Sequence, residues 1–318
     1  MSHFSVAVFT RDGQNIDELL APFDENGEEE FVSVSEKYKD IWKSQNKLVV
    51  KRLNGNYVSP YDSSLYTEIT KEEYEKLSKI MPRVLKKSGN IFSEKYYIRD
   101  LGKIGAKEME LPLREIYPTF DEYMESEGIE YCKEEKDYGY YCNPNAKWDW
   151  YQAGGRFCDI LKLKKDTTNE VTDIGTPSLL MEDYKKKDGF CSSAKVKDID
   201  FTPDEEEYKK NLRYWEVVVE GDSLKPGENE NDFLSFYKKE YLLKSYKNKE
   251  NYATICSLPI TYAVLTPDGT WYEKGEMGWF GISSETEDES FNWDIHFKER
   301  FIDTADPEWI LTIVDCHI

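Results

Sequence analysis

The segment Phe4-Ser5-Val6-Ala7-Val8-Phe9 near the start of the chain has a counterpart near its end, Trp309-Ile310-Leu311-Thr312-Ile313-Val314. Both are short runs of β-branched and aromatic residues, which is typical of buried strands. Chain ends fray unless they are tied into the fold, so two apolar end segments predict neighbouring strands of one sheet. We therefore expect a core that is assembled from both ends of the sequence.

Turn and capping signals supply further elements. Strand-like runs before Asn54-Gly55 and Asp268-Gly269 predict two hairpins, because these dipeptides tolerate the positive φ of tight turns. N-cap residues followed by an acid three positions later occur at Thr70, Thr119 and Thr202. With apolar residues at helical spacing, these signals predict helices over about 71–87, 120–126, 203–215, 232–243 and 291–302.

Short strands with segregated helices indicate an α+β fold rather than a parallel βαβ sheet. We predict a largely antiparallel sheet core that contains both terminal strands, with helical inserts. The core is expected from residues of about 1–35, 138–165 and 255–318, with inserts over about 36–137 and 166–254.

Composition limits the classes of partner. The 318 residues include 14% aromatic side chains, which argues against disorder, and the formal net charge of −21 disfavours direct binding to nucleic-acid phosphates. A basic protein that itself binds nucleic acid is a better match for this charge. The sequence shows no signal peptide and no membrane span, so we expect no membrane association and a cytoplasmic location. Six scattered cysteines without C-x-x-C spacing predict free thiols.

A dense window at residues 143–157 contains two tryptophans, several charges and a Gly-Gly pair. Alternation along an extended segment predicts that Trp148 and Trp150 share one face. The window could hold a phosphate and stack on a base, or it could be a hydrophobic clamp with local ion pairs. It lacks the spacing of a P-loop or a dinucleotide fingerprint. The candidate ligand-binding residues are Lys147, Trp148, Asp149, Trp150, Tyr151, Gly154, Gly155 and Arg156.

The chain has three histidines, His3, His296 and His317, and two of them lie in the end segments that are expected to pair. His3, Asp315 and His317 therefore form a candidate set for acid–base chemistry or for a divalent metal. Strand alternation places Cys316 on the opposite face from Asp315 and His317. The alternative is that the histidines are simply packed or solvated.

The sequence contains the four blocks Met1-Ser2-His3-Phe4, Asn143–Phe157, Tyr262–Gly281 and Val314-Asp315-Cys316-His317-Ile318. Together they resemble a family of proteins carried by bacteriophages and mobile elements, in which the residue at the position of Phe157 is more often Trp. The resemblance implies a genomic setting, and with it a bacterial host cell, rather than a reaction.

Two functions remain open from the sequence. The first, which the resemblance and the acidic charge favour, is a phage-encoded accessory protein that inhibits a host defence protein by direct binding through its acidic and aromatic surface. The second is a nucleotide-binding enzyme or a scavenger of a signalling nucleotide, which uses the window at 147–156 with His3, Asp315 and His317. No known catalytic signature is present, no cofactor is predicted, and a homo-oligomer is compatible with the sequence.

Overall fold

The structure is a computed structural model that describes residues 2–80, 85–88, 94–99, 104–179, 181, 184–235, 237–278 and 282–318. Helices and strands are interspersed along the chain, and the fold is α+β as predicted, with a mixed sheet that contains both terminal strands and several smaller sheets. The chain forms two compact units, Met1–Glu29 with Cys142–Ile318, and Glu30–Tyr141. The predicted arrangement of one core with two inserts stays a prediction.

The strands are β1 (His3–Thr10), β2 (Glu30–Ser33), β3 (Asn46–Arg52), β4 (Tyr57–Val58), β5 (Tyr66–Ile69), β6 (Leu85–Ser88), β7 (Lys95–Arg99), β8 (Ile104–Pro112), β9 (Tyr131–Cys132), β10 (Asp137–Cys142), β11 (Trp150–Gly155), β12 (Leu161–Lys162), β13 (Thr176–Pro177), β14 (Phe190–Cys191), β15 (Ser193–Lys195), β16 (Ala263–Leu265), β17 (Trp271–Glu273) and β18 (Ile310–His317). The longest strands are β1, β8 and β18, which have eight or nine residues each.

The α-helices are α1 (Ile16–Leu20), α2 (Ser35–Ser44), α3 (Lys71–Ser78), α4 (Leu113–Ile116), α5 (Phe120–Ser126), α6 (Glu205–Trp215), α7 (Lys239–Tyr246), α8 (Lys249–Ile255) and α9 (Glu287–Phe297). Helices α6 and α9 each continue into one π-helical turn, Glu216–Glu220 and Lys298–Ile302.

The first unit is organised by a seven-stranded sheet in the order β13-β11-β18-β1-β16-β17, with β15 also paired to β18. Strands β1 and β18 are antiparallel neighbours over their full lengths, from His3 opposite His317 to Thr10 opposite Ile310. This confirms that both terminal strands lie in one sheet. The sheet is mixed, since β1 pairs with β16, and β11 with β13, in parallel.

The two faces of this sheet pack against different apolar groups. On one face, Ala7, Phe9, Leu311 and Ile313 contact the apolar side of α9 and of the turn that follows it. On the other face, a second cluster joins alternate residues of the same strands to α1, namely Phe4, Val6, Val8, Leu19, Leu20, Trp148, Ala263, Leu265, Val314 and Cys316. The central strand pair is therefore buried on both sides, which is why its sequence is almost continuously apolar.

The second unit contains three small antiparallel sheets, β4-β3-β8, β5-β7-β6 and β2-β10-β9. Its apolar cluster is centred on Val34, Leu113, Tyr123 and Met124. Two aromatic residues of α5, Phe120 and Tyr123, belong to this cluster. The capping box of Thr119 and Glu122 fixes where this helix begins.

The sequence predictions of hairpins and capped helices are confirmed where the signal is local. Asn54-Gly55 lies between β3 and β4, and Asp268-Gly269 lies between β16 and β17. The capping boxes at Thr70 and Thr119 both form, and α5 has the predicted bounds.

Other boundaries were wrong. Helix α3 ends at Ser78 rather than near 87, and residues 85–88 form β6; residues 81–84 lie outside the described residues. The N-cap of α6 is Asp204 rather than Thr202, because its carboxylate accepts the Glu207 N–H. The helix predicted over 232–243 is a short 3₁₀ turn, Glu230–Phe233, followed by α7, and position 236 is outside the described residues.

The remaining predicted helix, over 291–302, begins earlier than expected. Helix α9 starts after the N-cap Thr286, whose hydroxyl and backbone N–H exchange hydrogen bonds with Glu289. Residues 279–281, which end the family-like block Tyr262–Gly281, lie outside the described residues.

None of the described helices combines the length and the apolar character that crossing a bilayer requires. All six cysteines are free thiols, as predicted.

We expect Leu311→Ala to lower the free energy of unfolding by about 2–5 kcal/mol, because Leu311 is fully buried at the centre of the sheet. Leu179, which is 99% exposed, provides the control, and Leu179→Ala should change stability by less than about 0.5 kcal/mol. Urea unfolding followed by tryptophan fluorescence measures both. Equal losses in the two variants would contradict the assignment of β18 to the core.

Candidate functional site

Three neighbouring strands, β1, β18 and β11, bring polar and aromatic residues together at the end of the large sheet where β1 and β11 begin and β18 ends. His317 lies opposite His3 of β1 and also opposite Trp150 of β11. The ring of Trp150 stacks on His317 with centroids 5.5 Å apart, and His3 meets both rings edge-on, at 5.0 Å from His317 and 5.6 Å from Trp150. We call this group, with the acids described next, the histidine face: His3, Asp149, Trp150, Asp315 and His317.

Asp315 holds His3. The Nδ1 of His3 lies 2.8 Å from Asp315 Oδ1, and the other oxygen, Oδ2, accepts the backbone N–H of Arg156 at 2.8 Å. Asp315 has no exposed surface, and the side chain of His3 is only 10% exposed. Because a carboxylate only accepts hydrogen bonds, Nδ1 of His3 is the donor, and Nε2 remains for another partner.

Asp149 holds His317 in the same way. The Nδ1 of His317 donates to Asp149 Oδ1 at 2.5 Å, and the backbone N–H of Asp149 donates to the carbonyl of His317 at 3.0 Å. The His317 side chain is 6% exposed. Its Nε2 is buried and has no hydrogen-bond partner among the described residues. A buried polar atom without a partner costs about 1–3 kcal/mol, so this nitrogen is suited to receive one from a ligand.

The Gly-Gly pair makes room for Asp315. Gly155 has a φ of +55°, and a Cβ there would lie 2.4 Å from Cβ and Oδ2 of Asp315. Only glycine satisfies both the left-handed backbone and this close approach. Gly155 is thus part of the site, because its backbone packs against the buried side chain of Asp315. Gly154 itself, with a φ of +79°, packs against Thr176 and Cys158.

The opposite face of the same strands is apolar. Cys316 is fully buried there, as strand alternation predicts, and burial raises the pKa of its thiol well above the usual value. Burial together with a hydrogen bond to Asp17 also raises the pKa of the Tyr151 hydroxyl. Neither group faces the histidines.

The prediction that Trp148 and Trp150 share one face is wrong. Trp148 is buried in the cluster that contains Cys316 and meets Tyr151 edge-on, whereas Trp150 is 43% exposed and covers His317. Alternation holds only inside a strand, and β11 begins at Trp150. Trp148 precedes the strand and forms a single bridge with Asp24.

Two other candidate residues, Lys147 and Arg156, and the third histidine, His296, have side chains outside the histidine face. Lys147 donates to Glu273 at 2.7 Å in a partly buried ion pair. The side chain of Arg156 is exposed, next to the backbone N–H that binds Asp315, and has no ion-pair partner among the described residues. His296 lies on α9, exposed and 3.2 Å from Glu299, and takes no part in the histidine face.

The structure thus unites His3, Asp149, Trp150, Gly155, Asp315 and His317, and leaves Lys147, Trp148 and Tyr151 in other surroundings. Sequence reasoning missed the pairing of Asp149 with His317, which are 168 positions apart and share no local pattern. In the described part of the chain, no group of three or more His, Cys, Asp or Glu residues is arranged to hold a metal ion.

Comparison of the chain with models of protein families gives no match. Comparisons with curated proteins and with solved structures likewise give none.

We expect Gly155→Ala to destabilise the protein more than Gly13→Ala. Both glycines have positive φ, which costs alanine about 1–3 kcal/mol, but a Cβ at Gly13 meets nothing within 4 Å, whereas one at Gly155 collides with Asp315. The extra loss at Gly155, about 1–2 kcal/mol by the usual cost of overpacking, is measured by urea unfolding of both variants. Equal losses would show that Asp315 does not depend on this close approach.

Proposed function

We propose that the protein binds a nucleotide at the histidine face and acts on its phosphate with His3 and His317 as an acid–base pair. The observation that supports this proposal is the pair of carboxylate–imidazole contacts, His3 with Asp315 and His317 with Asp149. Each contact engages Nδ1 of its ring, so Nε2 is the nitrogen that would exchange protons with a ligand. Neighbouring imidazoles held in this manner are suited to proton transfer near neutral pH.

The proton transfers balance across the two rings. The neutral imidazole takes a proton from the attacking water or hydroxyl, and the protonated imidazole gives one to the leaving oxygen. The two rings exchange roles, so the pair as a whole neither gains nor loses a proton. Asp149 and Asp315 hold the rings in place and stabilise whichever ring is charged, which is the role of an orienting carboxylate beside a catalytic histidine.

Two further side chains supply binding. Trp150 is 43% exposed, and its ring is available to stack on a base, an interaction worth about 1–3 kcal/mol per base. The exposed guanidinium of Arg156 offers a phosphate the planar fork of donors that matches its oxygens. If the chain belongs to the phage-borne family that it resembles, a defence-signalling nucleotide is the natural ligand, and the protein would destroy or sequester it.

We expect His317→Gln and His3→Gln each to lower turnover of a nucleotide substrate by about 100-fold or more, because a positioned acid or base contributes about that much. A panel of cyclic and linear nucleotides, with product analysis by chromatography and binding by calorimetry, identifies the substrate. His296→Gln is the matched control, since His296 is exposed on α9 and should leave turnover unchanged. A panel that shows neither binding nor turnover would remove the proposal.

The conservative variant Asp149→Asn separates positioning from catalysis. It keeps the size of the side chain but replaces the acceptor of the His317 Nδ1 proton by an amide. We expect it to lower turnover and to change its pH profile, while nucleotide affinity stays close to that of the unchanged protein. A loss of affinity with an unchanged pH profile would indicate a merely structural contact.

Inhibition of a host defence protein by direct binding is the second proposal, and the net charge of −21 supports it. Acids cluster in the first turns of α6 and α9, and all of them except the half-buried Glu287 are exposed, namely Glu205, Glu206, Glu207, Glu287, Asp288 and Glu289. Such clusters speed association with a basic partner and make it sensitive to salt.

For this proposal, the immobilised protein should recover a basic partner from host lysate at low salt and release it at high salt. The triple variant Glu205→Gln, Glu206→Gln and Glu207→Gln should recover less of that same partner, because it removes three negative charges from one surface. His3→Gln should recover as much as the unchanged protein. Recovery that is independent of salt and of the glutamates would contradict the proposal.

A further inference from the structure

A second site lies on the same sheet at the end remote from the histidine face. Strand β1 runs from His3 to Thr10, so Arg11 at its far end is about 25 Å from His3 at the usual rise per strand residue. A cavity of about 350 Å³ opens there between the end of β1, the turn joining β16 and β17, and the π-helical turn Lys298–Ile302. This volume falls at the lower end of the range of small-molecule sites, about 300–1,000 Å³.

Two arginines, Arg11 and Arg300, line this cavity, and neither has a carboxylate within ion-pair distance among the described residues. The guanidinium of Arg11 donates a long hydrogen bond, 3.4 Å, to the carbonyl of Pro267. Arg300 lies over the rings of Trp293 and Phe301, at 5.3 Å and 5.0 Å from their centroids. By contrast, Arg213 of the same unit contacts three carboxylates.

The walls of the cavity are aromatic. Trp309 meets Phe9 edge-on at 6.3 Å, and Tyr272, which is 40% exposed, packs on Phe301 at 5.5 Å. These rings face the cavity together with the two arginines. A ligand with a flat ring gains contact with such walls, and guanidinium groups bind phosphate or carboxylate through parallel hydrogen bonds.

One lining residue opposes a simple anion. The carboxylate of Asp268 accepts from the Thr266 hydroxyl at 2.6 Å and from the Thr270 N–H at 3.2 Å, and these contacts lower its pKa. The Asp268 carboxylate therefore stays negatively charged, and its oxygens can accept further hydrogen bonds from a ligand. The cavity therefore suits a ligand that carries hydrogen-bond donors, such as ribose hydroxyls or an amino group, besides its anionic group.

We infer that this cavity, which we call the arginine cavity (lined by Arg11, Asp268, Tyr272, Arg300, Phe301 and Trp309), binds a planar organic anion of nucleoside monophosphate type. Arg11 and Arg300 contact the phosphate, Tyr272 and Trp309 contact the ring, and Asp268 accepts from the sugar or base. The inference is independent of the proposed chemistry at the histidine face, because the two sites share no residue.

Calorimetry with three probes tests this inference: AMP, adenosine and inorganic phosphate. We expect AMP to bind at least tenfold more tightly than adenosine or phosphate, since only AMP engages both the arginines and the aromatic walls. The double variant Arg11→Gln and Arg300→Gln should weaken AMP at least tenfold, and Arg11→Lys, which keeps the charge but not the planar fork, should give an intermediate affinity.

Two controls isolate the cavity. The double variant Lys210→Gln and Lys225→Gln removes the same number of positive charges from exposed positions of the same unit and should leave AMP binding unchanged. His296→Gln, at a histidine outside both sites, should also leave it unchanged. The arginines are exposed, so circular dichroism should show that their variants fold. AMP binding that survives the loss of both arginines, or that is lost in the double lysine variant, would overturn the inference, as would equal binding of AMP and adenosine.

Discussion

The antiparallel pairing of β1 with β18 is the interaction on which the rest of the first unit depends. It joins the two ends of the sequence over eight residues of each strand and buries side chains such as Val6 and Ile313 completely. Each such aliphatic side chain contributes about 1.5–3 kcal/mol. A slip of one residue would exchange the two faces and move Asp315 and His317 into the apolar cluster around Cys316. The cost of that exchange fixes the register, and the register fixes the site.

One face of this sheet changes character along its length. Its middle is apolar and covered by α9, and its two ends carry the histidine face and the arginine cavity. At the first end, Asp315 and Asp149 each accept a hydrogen bond from one imidazole, so the rings of His3 and His317 are held in place by the fold itself. At the other end, the guanidinium groups of Arg11 and Arg300 lie beside aromatic rings, with no ion-pair partner among the described residues. The rigid core between them holds both ends in place.

The net charge of the protein does not describe its local electrostatics. Many of the carboxylates are exposed, where ion pairs contribute about 0–1 kcal/mol and salt screens them. A nucleotide that approaches from a distance meets a repulsive field, but screening limits that field to about 8 Å at physiological salt. Close to Arg11 and Arg300, the charges of these two side chains, rather than the net charge of the protein, determine how strongly a small anion is attracted. An acidic protein can therefore attract a basic protein over its surface and still bind a small anion in a cavity.

The sequence by itself determined the features that depend on neighbouring residues. The capping boxes at Thr70 and Thr119, the turns at both hairpins and the apolar terminal strands follow from chemistry within a few positions. It also contained a stop signal for α3, because Pro82 disfavours a helix that continues to 87, and the prediction of a helix over 71–87 overlooked it. Only the tertiary structure decided that Trp148 is buried while Trp150 covers His317, and that Asp149 holds that histidine. Those contacts join residues far apart in sequence, whose encounter depends on which strands pair and in which register.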